Sequence, residues 1–213
     1  MTEYLRHNKI ALAFHTLRTG GRPALLLLHG LAEASPEQLP AECKTWPGAV
    51  YALDFTGHGK STLPKGGGYT AEQLMGDADA ALARLGTATL CGRGLGAYVA
   101  LLLAGARPRA VRGAILCDGP GFVGGGSQPG TPLVVSVEAR LSGPPDPLAL
   151  FELARDIRPP DYAANFVRQA TQLSGLPCPL AVCARERSPW LQAVIAEPGV
   201  LVTTLRDALE LFT

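Results

Sequence analysis

Residues 87–106 read TATLCGRGLGAYVALLLAGA. A short apolar strand, residues 87–91, runs into glycines at 92, 94 and 96, and a helix-like run over 97–106 follows at once. A chain passing from strand to helix in so few residues needs positions without a Cβ, because side chains there would collide. A strand, a sharp glycine turn and a helix form a device that holds one residue out toward a ligand. That residue is Gly94, which has no side chain to offer.

The rest of the chain alternates in the same way. Residues 9–17 read as an antiparallel strand ending in a turn, and residues 24–30, ALLLLHG, as a strand buried on both faces. Further strands are expected at 49–55, 110–119, 178–185 and 200–204, with a less regular one at 132–139. The clearest amphipathic helix starts after Thr70 as N-cap, with Gln73 as its capping partner, and stops at Gly86. Residues 147–173 read as two helices broken at Pro159-Pro160, and two short helices follow at 188–197 and 205–212. The fold class is α/β: a mostly parallel sheet with helices on both faces. Ligands in such sheets bind beyond the carboxyl ends of the strands. Those ends carry His29-Gly30, Asp54, Gly92–Gly96, Cys117-Asp118 and Ala184–Arg187.

Composition narrows the function classes. The 213 residues suit one domain with a modest insertion. A net charge of +1 argues against nucleic acid or an anionic membrane as partner. The longest apolar stretches are too short to span a bilayer, and the polar start, MTEYLRHNK, lacks a secretory h-region, so a cytoplasmic location is expected. Five cysteines, with no CxxC pair, argue against a disulfide framework or zinc site, and neither a metal nor a cofactor is expected.

Three pieces in register, LLLLHG, DFTGHGKS and CGRGLGAY, resemble the α/β-hydrolase fold superfamily. The second is similar to the family pattern D-x-R-G-x-G-x-S, and the third occupies the place of the nucleophile elbow G-x-S-x-G. The resemblance implies a core of residues 1–118 and 177–213, with a cap-like insertion, short and mostly helical, at 119–176. It puts the nucleophile position on Gly94 and the oxyanion-hole amides on Leu31 and Leu95. The family's histidine should come after the last strand, yet no histidine follows His58, and residues 200–204 pass directly to the last helix. The family's acid position falls on Arg187, with Glu186 one residue off and Asp118 at the alternative location.

These losses imply a non-catalytic pseudoenzyme that binds a small-molecule ligand or protein partner at the former active-site cleft, with room for a homo-oligomer. Two alternatives stand beside it. A hydrolase or lyase could use His58, Asp118 or a cysteine, since Cys91, Cys117 and Cys183 end three strands that the fold would make neighbours. A dinucleotide site is the other, because GRGLGA fits G-x-G-x-x-A and Asp118 follows at the distance of a ribose-binding acid. The plainer readings are loop packing for His58, support of its own loop for His29 and Asp54, and small apolar filler for the cysteines. On sequence alone, Gly94→Ser is expected to cost about 1–3 kcal/mol from backbone strain.

Overall fold

The computed structural model describes residues 1–127 and 143–213, so the strand expected at 132–139 lies outside the described residues. Among the described residues, eight strands form one sheet: β1 (Thr2–His7), β2 (Ile10–Arg18), β3 (Leu25–Leu28), β4 (Val50–Leu53), β5 (Ala88–Arg93), β6 (Val111–Cys117), β7 (Leu180–Val182) and β8 (Val200–Val202). Their order is β1-β2-β4-β3-β5-β6-β7-β8. β1 and β2 are antiparallel to their neighbours, and every pair from β4 to β8 is parallel.

Period-two alternation explains why the inner strands are apolar throughout. Leu26 and Leu28 of β3 enter one core with Leu90, Ala114, Leu116, Leu180 and Val182. Leu25 enters a second core on the opposite face with Val50, Ile115 and Ala181. The first core is covered by α1 (Ala71–Leu85), α2 (Leu95–Ala106), α3 (Pro147–Ala154), α4 (Pro160–Leu173) and α5 (Pro189–Ala196). The second lies under a 3-10 turn at Ala41–Thr45 and α6 (Leu205–Leu211). α1 begins at the expected cap, where the Thr70 hydroxyl accepts the Gln73 N–H at 3.2 Å. Gln73 Oε1 finds no partner among the described residues, so the reciprocal half of the capping box is not made; Gly86 closes the helix at φ 79°.

The N-terminal segment is a strand that composition hid. Read as a polar tail, TEYLRH is β1, an edge strand with alternating exposure, and Asn8 turns it into β2 at φ 55°. Asparagine tolerates that left-handed turn, and together with the alternation it is the signal that could have found the hairpin.

The described helices of the span 119–176, and Asp146 before them, are stitched to the body. α4 packs on α2 and α5 within the helix layer. The Glu152 carboxylate of α3 accepts the Gly68 and Tyr69 amides at 2.7 and 2.6 Å. The Tyr69 hydroxyl donates to Asp146 at 2.6 Å.

Asp54, at the end of β4, joins three segments. It accepts the Ser35 N–H at 2.7 Å, the Lys60 N–H at 2.8 Å and His15 Nε2 at 3.0 Å. Burial pushes its carboxyl up, but the Lys60 and Ser35 amides and His15 outweigh that and hold it below the ordinary value. A depressed carboxylate adds stability above its unfolded pKa of about 3.9, and that share is lost as the pH falls through the folded value. Asp54→Asn is therefore expected to cost about 2 kcal/mol at neutral pH. In urea unfolding curves the gap to the parent should narrow as the pH falls below about 4.

Candidate functional site

The turn between β5 and α2 keeps the shape its glycines imply. Gly94 sits at φ 60°, ψ −124°, a conformation that glycine adopts readily and other residues hold only under strain. Gly92 and Gly96 are required by close approach. A Cβ on Gly92 would lie 2.7 Å from Ala97 Cα, and one on Gly96 would lie 2.6 Å from the His29 carbonyl oxygen.

The amides around this turn are all engaged. Gly94 N–H donates to Cys117 O at 3.0 Å, and Gly96 N–H to His29 O at 3.1 Å. Leu95 N–H and Leu31 N–H converge on one acceptor, the carbonyl oxygen of Pro120, at 2.9 and 3.0 Å. Two convergent backbone donors beside an elbow are the geometry that stabilises a developing oxyanion. Here a neutral carbonyl of the same chain occupies that position. The same segment fills the space in front of Gly94, where a Cβ would lie 2.7 Å from Gly119 C and 2.9 Å from Pro120 C, and closer still to Pro120 O.

Side chains close the volume behind the plug. Tyr98, Phe122, Arg158 and Trp190 are all buried. Trp190 meets Tyr98 edge-on at 5.1 Å and Phe122 at 4.9 Å, and its Nε1–H donates to Phe122 O at 3.0 Å. Arg158 Nη1 donates to the same carbonyl, and its guanidinium lies 4.5 Å from the Tyr98 ring centroid. Burial lowers the Arg158 pKa to about 10, against the pull of Asp156 and Tyr98, so it stays charged at neutral pH. Its Nε and Nη2 find no hydrogen-bond partner among the described residues. Because a buried charge with unmet donors is costly, Arg158→Met should leave stability unchanged or raise it by about 1 kcal/mol. Arg158→Ala, which also opens a cavity, should lose about 3 kcal/mol, and thermal unfolding of both variants beside the parent checks the pair.

Among the side chains considered as alternative catalysts, His58 is buried, whereas Asp118 is exposed and borders both cavities that flank the plug, and Cys91 and Cys117 border the deeper one. His58 is fully buried and donates Nδ1–H to Thr56 O at 3.1 Å, leaving Nε2 without a partner among the described residues. Burial lowers its pKa. His29, 5.1 Å away, is lowered to about 4 by burial and by His58; its Nε2 accepts the Phe55 N–H and its Nδ1 donates to Gly30 O. Asp118 accepts the Arg185 and Glu186 amides at 2.7 and 3.0 Å. Arg187 turns back onto Ala184 O at 2.5 Å. Cys91, Cys117 and Cys183 stand on or just beyond the neighbouring strands β5, β6 and β7 and pack against the same core.

Sequence reading passed over the group that fills the site. Pro120 and Phe122 lie in DGPGF, where no periodicity speaks, and Arg158 and Trp190 come from distant segments. The usable signal was the pair of glycines around Pro120. A Cβ on Gly119 would lie 2.8 Å from Gly94 N, and Gly121 sits at φ 73°, so both permit close backbone approach.

Two cavities flank the plug. An open one of about 560 Å³ lies over Leu31, Phe122, Val123 and Glu186. A deeper one of about 480 Å³ lies on the other face of the sheet, with Leu27, Cys43, Cys91, Cys117 and Leu205 in its wall and Glu33 and Arg93 beside them. The connection from β8 to α6 is only Thr203 and Thr204, while the β3–β4 connection, with Ser35, Pro36 and Pro40, borders this second space.

A mixed eight-stranded sheet in this order, with a glycine elbow after β5, defines an α/β-hydrolase fold. The model of the alpha/beta hydrolase family matches residues 25–209, and the chain belongs to that family. The fold is similar to that of the N-formylmaleamic acid deformylase of Pseudomonas putida S16, at 14% identity and TM-score 0.66, over 96% of this chain and 92% of that one. It is similar to Est1E of Butyrivibrio proteoclasticus, solved with ferulic acid, at 16% identity and TM-score 0.65, over 95% and 88% of the two chains. A bacterial membrane phospholipase A matches at 17% identity and TM-score 0.52, over 96% and 78%. Comparison with curated protein sequences finds no match. No helix among the described residues is long and apolar enough to cross a membrane.

Proposed function

We propose that this chain is a non-catalytic member of the family that binds a small molecule in the former active-site region. The observation that carries the reading is the Pro120 carbonyl, which accepts both Leu31 N–H and Leu95 N–H in front of a glycine. An acyl substrate needs that position for its own oxygen, and a hydrolase needs a nucleophile at the elbow. Neither is free here. The same engagement argues against a dinucleotide at GRGLGA, because the Gly94, Leu95 and Gly96 amides that would cradle a pyrophosphate already have acceptors.

The ligand site is the cavity of about 480 Å³ beyond the ends of β3, β5 and β6. Its size and largely apolar wall suit a compact organic molecule. The two-residue β8–α6 junction brings Leu205, the first residue of α6, into the cavity wall, where an apolar side chain favours binding over chemistry.

The test is labelling with a fluorophosphonate probe together with a p-nitrophenyl acetate burst assay. Native protein should label no more than heat-denatured protein and show no burst. Stoichiometric labelling at one residue would overturn the reading.

A further inference from the structure

We propose that Cys117 and Cys183 form a dithiol that accepts oxidising equivalents from a small disulfide entering the deeper cavity, and closes to an intramolecular disulfide. The inference rests on that cavity being open to small molecules, not on the absence of hydrolysis.

Register puts the two residues together. β6 and β7 are parallel and their last ladder pair is Leu116 with Val182, so Cys117 and Cys183 follow as the next rank on the same face. That face is the one bearing Ile115 and Ala181, against which Cys91, Cys117 and Cys183 pack. Neighbouring strands run about 4.8 Å apart. A disulfide spans Cα separations of roughly 4.4–6.8 Å, so the pair needs side-chain rotation and no displacement of a strand. Both residues stand at the end of the ladder, and the amides of Cys183 and Ala184 donate to Leu116 O at 2.8 and 3.0 Å, which fixes the two chains side by side at this rank.

Access separates their roles. Cys117 lines the cavity, with Cys91 and Cys43 around it, whereas Cys183 does not. The Cys117 sulfur, its proton lost to solvent base, attacks one sulfur of the entering R–S–S–R. That bond breaks and the first thiolate leaves, taking up a proton. The Cys183 sulfur, likewise deprotonated, then attacks the Cys117 sulfur of the mixed disulfide and expels the second thiolate. Two protein thiols are oxidised and one small disulfide is reduced to two thiols. Cys183 pulls the Cys117 thiol down, but Cys91 and burial outweigh it, and Cys117 and burial push the Cys183 thiol up. The pair therefore stays protonated, so the exchange is slow and is best followed in mildly alkaline buffer.

The experiment treats the native full chain with 2-hydroxyethyl disulfide and reads intact mass and non-reducing peptide maps. The expected product has lost two hydrogens and links the peptides that contain Cys117 and Cys183. Cys183→Ser should stop at a stable hydroxyethylthio adduct on Cys117, and Cys117→Ser should slow oxidation of Cys183 by about tenfold or more. A Cys91–Cys117 link, modification confined to Cys178, or no reaction of the native chain would each overturn the proposal. A protein that proved reactive toward fluorophosphonates would leave this result unchanged, so the two readings fail separately.

Discussion

Gly94→Ser should lower the unfolding free energy by roughly 2–6 kcal/mol, the sum of strain at an unfavourable backbone conformation and overpacking against main chain. Gly94→Ala should cost nearly as much, because the conflict arises at Cβ, which would press on the Gly119 and Pro120 carbonyl groups. Neither substitution should produce ester turnover, since residues 119–120 fill the space in front of position 94 and Pro120 O holds both amides. Urea unfolding of the two variants beside the parent checks this directly. Parent-like stability of Gly94→Ser would show that residues 119–120 swing away readily, and that the plug is a gate. Backbone strain alone accounts for the smaller penalty expected from sequence; the remainder comes from a carbonyl that only the folded chain brings to the elbow.

Trp190→Ala should be the most damaging single truncation in the helix layer. It removes the edge contact with Tyr98, the contact with Phe122 and the indole hydrogen bond to Phe122 O. Truncating a fully buried tryptophan costs about 3–5 kcal/mol. In a domain of this size each kcal/mol moves Tm by about 2–4 °C, so a fall of about 6–20 °C is expected by calorimetry. Trp190→Phe keeps most of the packing and should lose only about 1–2 kcal/mol, mainly the indole N–H and a small void. Equal losses in the two variants would mean that the hydrogen bond, and not the packing, holds this region.

Local rules made much of the fold legible. The leucines of β3, the alternating glycines of the elbow and the Thr70–Gly86 helix follow from alternation, sterics and capping, and those elements stand where expected. β1 escaped because an edge strand with one solvated face resembles a polar tail. α4 reads as part of an insertion in sequence, yet it packs between α2 and α5. The candidate site was legible only in its donors. Leu95 could be named from the elbow pattern and Leu31 from the loop after His29-Gly30, but the acceptor between them depends on the path of residues 119–122, a glycine- and proline-rich segment without periodicity. Arg158 and Trp190 join that segment across long sequence separations, which no local pattern encodes.

The Pro120 carbonyl also sets the terms on which anything else meets Leu31 and Leu95. It is covalently tethered, so it competes as an intramolecular ligand whose effective concentration is on the order of millimolar or higher, and it never diffuses away. A free ester, carboxylate or boronate must outbid that standing occupant before its own contacts count. A molecule with millimolar intrinsic affinity for two amides therefore meets donors that are already engaged. Only a ligand that gains elsewhere, along the neighbouring cavity wall, enters this region without contesting it.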